Sequence, residues 1–169
     1  MEADNTDQPE GLDEVFLVQN PALGAVLMWK FVEGYKRASS KACPSLPLLF
    51  LVLPIIFSEA LRTQLSATFE SSGMRLFAAK FSKDQEELLA IQERMIMLRE
   101  TSLSSVSIAI ECGLLRMGHT DALVDCNVKH FPSGVPQEIK VLTKLAGKLG
   151  FWCGTLTLQE IQAALRIGF

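Results

Sequence analysis

Twelve consecutive residues, Leu46–Phe57 (LPLLFLVLPIIF), are all apolar or proline, and no other feature constrains the fold as strongly. A membrane-spanning helix needs about 20 apolar residues, so the run is too short to cross a bilayer and suits a helix buried in a protein core. Pro47 falls in its first turn, and Pro54 predicts a kink or break part-way along. Such a helix is apolar on every face and has to be covered on every face. A chain of 169 residues has few elements with which to do so, and part of the cover is expected from another subunit.

The rest of the composition fits one domain. With 49% hydrophobic and 21% charged residues and a mean hydropathy of +0.24, wholesale disorder is excluded. The net charge of −3 gives no global reason for binding a polyanion. Its distribution is uneven, because residues 1–14 hold Glu2, Asp4, Asp7, Glu10, Asp13 and Glu14 and no Lys or Arg. Set those six aside and the remainder has 13 acidic and 16 basic residues. The head therefore reads as a solvated, frayed terminus, with a single folded domain over residues 15–169. Cys43, Cys112, Cys126 and Cys153 lie far apart, form no C-x-x-C pair and follow no secretory leader. They are expected to be reduced thiols of a cytoplasmic protein.

Helical periodicity dominates the chain. Residues 14–19 form a short apolar run, an edge strand or a lead into a helix. Asn20-Pro21 then opens a helix over residues 21–36, Asn as N-cap and Pro at the first helical position. After a loop at 38–45, a second helical block is expected over 48–64, kinked at Pro54, with Ser58 and Glu59 offering a restart after the kink. Met74, Phe77, Ala78 and Phe81 place one apolar stripe on a short helix. From Asp84 to Cys112 there is no Gly or Pro, and Leu88, Ile91, Met95, Leu98 together with Leu89, Ile96 and Leu103 keep helical spacing. A division is expected near Thr101-Ser102, where a new N-cap is available, and Gly113 is the natural C-cap. Short strands at 114–117 and 122–125 flank a polar turn. A helix over 136–149 follows, capped by Gly150, with Lys140, Lys144 and Lys148 outward. A last helix starts at Thr155 or Thr157. A helix, a glycine and a hairpin form the layout of a winged-helix module, placed here at about residues 102–128.

Catalytic groups are scarce. His119 falls in the predicted turn and His130 in a loop, neither beside a nucleophile motif, and Cys126 with His130 lacks the second pair a zinc site needs. No phosphate-binding glycine loop is present. Neither a catalytic residue nor a metal or cofactor is expected. DNA reading by the winged portion is disfavoured, because residues 102–112 carry one acid and no Lys or Arg, and the wing offers only Arg116 and His119. The aromatics are more suggestive. Most belong to a core, but Trp29 and Tyr35 flank the inward face of the first helix, and Phe151-Trp152 fall in a predicted linker, so these are candidates for a partner surface.

Several of these residues occur together in a recognisable pattern. Asn20-Pro21-Ala22 with Gly34-Tyr35, the Pro47 to Pro54 run, Thr63, Ser71-Ser72-Gly73-Met74-Arg75, Glu93-Arg94 and Gly113-Leu114-Leu115 resemble the middle-component family of bacterial three-component ABC systems. The resemblance spans residues 14–169. It implies a small non-enzymatic subunit of a Lamassu-like antiphage or anti-plasmid defence complex. That subunit would dock on an SMC/Rad50-like ATPase and link it to an effector, commonly a nuclease, held inactive until triggered. It carries over no catalytic residues. Contact residues are expected at Trp29, Tyr35, Arg62, Arg75 and Trp152, with DNA met only through the complex and no membrane contact.

The expectation is thus a mainly α-helical domain with a winged-helix-like segment containing a short β-hairpin, acting as an adaptor. The alternative is a winged-helix transcription regulator. A small enzyme would need a site built around His119 or His130.

Overall fold

The computed structural model describes residues 20–169 except Lys41, Asp84 and Val128. The acidic head and the apolar run at 14–19 lie outside the described residues. Among the described residues the fold is mainly helical, with one antiparallel hairpin.

Helix α1 (Pro21–Ala38) is the spine. Asn20 caps it, its Oδ1 accepting from the Leu23 amide at 3.0 Å, and Lys36 and Arg37 in the last turn complement the helix dipole. It runs two residues past the expected end. Its main partner is α8 (Gln137–Gly154). Lys30 faces Gly147, Phe31 faces Gly150 and Tyr35 faces Gly154, so the two helices run in the same direction. A Cβ on Gly150 would lie 1.9 Å from the Phe31 carbonyl oxygen, and one on Gly34 would lie 2.0 Å from that of Gly147. Backbone meets backbone, closer than any side chain allows. Gly150 therefore does not end the helix as expected; it lets α8 continue through the crossing to Gly154.

The apolar run also folds differently from the single kinked helix expected. It forms α2 (Leu46–Leu49) and α3 (Val52–Phe57), followed by α4 (Glu59–Ser66). Pro54 is not the break. It occupies the third position of α3, where a missing N–H costs no intrahelical bond. The chain turns instead at Phe50-Leu51, and it restarts at Ser58-Glu59 as the sequence offered. Ser58 is extended, with ψ 121°, and its hydroxyl accepts from the Leu61 amide to cap α4. Leu46–Phe57 and Glu59–Ser66 meet at 95°, and no single helix among the described residues is long and apolar enough to cross a membrane. Every residue of α3 is buried. Its cover comes from α1, α4, α8 and α6 (Gln85–Met97) of the same chain, so a second subunit is not needed to cover it.

A 3-10 turn at Glu70–Ser72 leads into α5 (Gly73–Ala79), which buries Met74 and Phe77. The long helical stretch that follows divides at Leu98, into α6 and α7 (Arg99–Glu111), not at Thr101-Ser102. Hydrogen bonding hardly falters there, since Leu98 donates to the Arg94 carbonyl and Ser102 to that of Leu98. Ser102 cannot serve as the cap because it is on the inner face, 1% exposed. Gly113 ends α7 as expected: at φ +66° it lets Leu114 donate to the Ala109 carbonyl and itself donates to that of Ile110, a Schellman closure.

Strands β1 (Leu115–Met117) and β2 (Val124–Cys126) pair with Leu115 opposite Cys126. Pro44 and Leu46 add hydrogen bonds on the outer side of β2. The hairpin is tied to α1, by an ion pair from Lys36 to Asp125 and by the Trp29 indole donating to the Asn127 carbonyl at 3.1 Å. Last comes α9 (Leu158–Leu165), opened by Thr157 and Glu160 in a reciprocal capping box.

Candidate functional site

Two of the five expected contact residues are core. Trp152 is fully buried because Phe151-Trp152 belong to α8 and not to a linker. Its ring packs 5.7 Å from Phe77, and its indole donates to the Glu70 carbonyl at 2.8 Å. Trp29 is 3% exposed, stacked on Phe131. Neither indole presents a face to a partner in this conformation. Tyr35 is half-buried, and burial, more than the neighbouring thiols Cys153 and Cys43, raises the pKa of its phenol above the ordinary value. Arg62 is half-buried and donates to the Ile56 carbonyl. Arg75 is open to solvent, paired with Glu160 at 2.7 Å. The structure does not gather the five into one patch.

What it does gather is charge. The outer side of the α1–α8 crossing is a groove of about 870 Å³. Lys30, Lys36 and Arg37 line it from α1 and Lys140, Lys144 and Lys148 from α8, against Glu33 and Glu70. The close glycine crossing explains the juxtaposition, since Gly34 and Gly147 lie among the lining residues and bring the two basic rows together. The α8 row was legible as a periodic stripe. The α1 row was missed, although Lys30 and Arg37 are seven residues apart and so share a helix face.

These cations are not equivalent. Lys148 is not the plain solvated lysine its spacing suggests. It reaches across to the end of α4, donating to the carbonyls of Leu65 at 3.1 Å and Thr68 at 2.8 Å, and satisfies orphan acceptors there. Desolvation lowers its pKa below the usual lysine value, partly opposed by Glu70. Lys30 pairs with Glu33 and sits 4.1 Å above the Trp29 ring. Arg37 pairs with Glu70 at 2.7 Å and lies over Phe151. The hydrogen bond between Lys36 and Asp125 raises the pKa of the amine and lowers that of the carboxyl. Among the described residues Lys140 and Lys144 make no ion pair.

The groove is suited to holding negative charge. Its lining contains no Ser, Cys or His, and its one hydroxyl, on Thr143, is turned to the Lys140 carbonyl. Among the described residues no group of three or more His, Cys, Asp or Glu is placed to hold a metal ion. Cys153 is fully buried, and that burial raises its pKa so far that the thiol stays protonated.

A family model for the ABC-three component (ABC-3C) system Middle Component 3 matches residues 10–169. The chain belongs to this family. No match was found among curated proteins or among solved structures. As a middle component, the protein is one part of a multi-component ABC system, and its surfaces are to be judged as places where other components attach.

Proposed function

We propose that this middle component is a non-catalytic adaptor that links an SMC/Rad50-like ABC ATPase to an effector, a nuclease by class, in a bacterial complex of the Lamassu type directed against phages or plasmids. The family match over residues 10–169 carries the reading. The site supports it, because the basic groove offers electrostatic attachment and its lining holds no Ser, Cys or His. DNA is met through the complex, since four of the six groove cations already have partners in the chain. Contact falls to Arg75, Arg62, Tyr35 and the groove lysines Lys140 and Lys144, while Trp29 and Trp152 hold the shape of the domain. The complex works in the cytoplasm, where the four free cysteines stay reduced.

Co-expression with the neighbouring genes tests the reading, with an affinity tag on this chain. The ATPase and effector should co-elute with it in fixed ratio. A well-behaved monomer that elutes alone would contradict the proposal. Tight duplex binding by the isolated chain, with a steep salt dependence in filter binding, would favour the regulator instead.

A further inference from the structure

Helices packed on a core are apolar inside and polar outside. The pair α6–α7 departs from this rule. Its inner face is conventional: Leu88, Ile91, Met95, Ser102, Ser105 and Ala109 are buried and keep one helical phase through the division at Leu98. Turned roughly 130° from it, at 100° per residue, stand Leu89, Ile96 and Leu103, 54%, 67% and 41% exposed and seven residues apart. A spacing of seven is the repeat with which one helix meets another along a continuous seam.

The flanks are patterned as well. Three residues before each seam position is a glutamate: Glu86 before Leu89, Glu93 before Ile96, Glu100 before Leu103. All three are exposed, and none makes an ion pair among the described residues. At 100° per residue they line one rim of the strip, while Gln85, Gln92 and Arg99 line the other. The second rim is partly engaged by the end of the chain, where Arg166 donates to Gln85 and the Gly168 amide to Gln92. The glutamate rim has no such engagement. Solvated helix faces vary their charges; a single sign repeated in step with the apolar seam is how coiled-coil flanks select a partner.

We propose that the outer face of α6–α7 is the docking seam for an amphipathic α-helix of a partner protein, apolar along its heptad positions and bearing Lys or Arg along the edge that meets Glu86, Glu93 and Glu100. The inference deepens the adaptor reading and rests on it for the existence of the partner. The heptad step sets the shape of the occupant, and charge complementarity sets its sign.

The test uses the full chain and two labelled synthetic helices of about four heptads, identical in their leucine seam and flanked in one by lysine and in the other by glutamate. By fluorescence anisotropy the lysine-flanked helix should bind at least about tenfold more tightly, with the preference shrinking in high salt. The triple variant E86K/E93K/E100K should reverse the preference. The control E59K/D121K/E138K, with the same change of net charge on other faces, should leave it in place. Ile96→Asp with Leu89→Ser should abolish binding of both helices while circular dichroism and the melting temperature stay as in the parent. Equal affinity for the two helices, no binding of either, or reversal by the control variant would overturn the seam. If the seam fails and the ATPase still co-elutes, only this inference falls. If the helix binds and no component co-elutes, only the adaptor reading falls.

Discussion

Two apolar patterns in this chain have opposite fates. Leu46–Phe57 is dense, apolar in every direction, and almost wholly enclosed by α1, α4, α6 and α8. Leu89, Ile96 and Leu103 form a sparse strip on the back of a helix pair whose other face is already packed, and they remain in solvent. The difference teaches that apolar density marks what a domain covers itself. Apolar periodicity left on an outer face, with charge in step, is the ground on which a docking seam is proposed there.

The widest gap between the two regions should appear on truncation. Leu53→Ala removes a side chain with no exposed surface and should cost about 2–5 kcal/mol in denaturant unfolding. A cost below about 1 kcal/mol would mean that the core is looser than described. The glycine crossing that frames this core comes next. Gly150→Ala places a methyl group against the Phe31 carbonyl and should lose about 1–3 kcal/mol or more. Gly147→Ala meets the Lys30 carbonyl at 3.5 Å, an ordinary contact, and should stay within about 1 kcal/mol of the parent. Equal effects from the two would contradict the stated register of α1 on α8.

The hairpin lies between the two regions in expected effect. Asp125 has a lowered pKa, chiefly from its hydrogen bond with Lys36. Its contribution to stability is therefore present above the unfolded carboxyl pKa of about 4 and lost as pH falls through the folded value. Asp125→Asn should cost no more than about 1 kcal/mol at neutral pH and flatten the decline of stability below about pH 4. An unchanged acid limb would break the assignment. On the outer seam Leu89→Ser and Ile96→Ser should each change stability by less than about 0.5 kcal/mol. A larger loss would show that the strip is covered by the chain itself.

Local chemistry was legible in the sequence wherever a residue acts on its own neighbours. Asn20 with Pro21 and Gly113 mark helix ends by bonds that close within five residues, and each does so here; of Thr155 and Thr157, both open to start the last helix, Thr157 is the cap. What sequence misread depends on distant partners. Gly150 resembles a helix stop until Phe31 is seen against it, and Pro54 resembles a kink until the preceding turn makes it an early helical residue. Trp152 reads as a surface anchor only if α8 ends at Gly150; the helix runs on to Gly154 and buries it. The basic groove was half legible, as the α8 row alone, since nothing in the spacing of α1 says that it lies alongside α8. The Leu89, Ile96 and Leu103 spacing was visible from the start, but only burial separates a seam turned outward from a second inward face.

The proposed docking of a partner helix on α6–α7 adds a second attachment to the contacts proposed at Arg62, Arg75, Tyr35 and the groove lysines. Hydrogen–deuterium exchange on the free chain and on the complex purified with its ATPase and effector tests it most directly. Amides of Gln85–Met97 and Arg99–Glu111 should exchange more slowly in the complex, while those of Val52–Phe57, buried in both states, should not change. Unaltered exchange along α6–α7, with slowing confined to other surfaces, would contradict it.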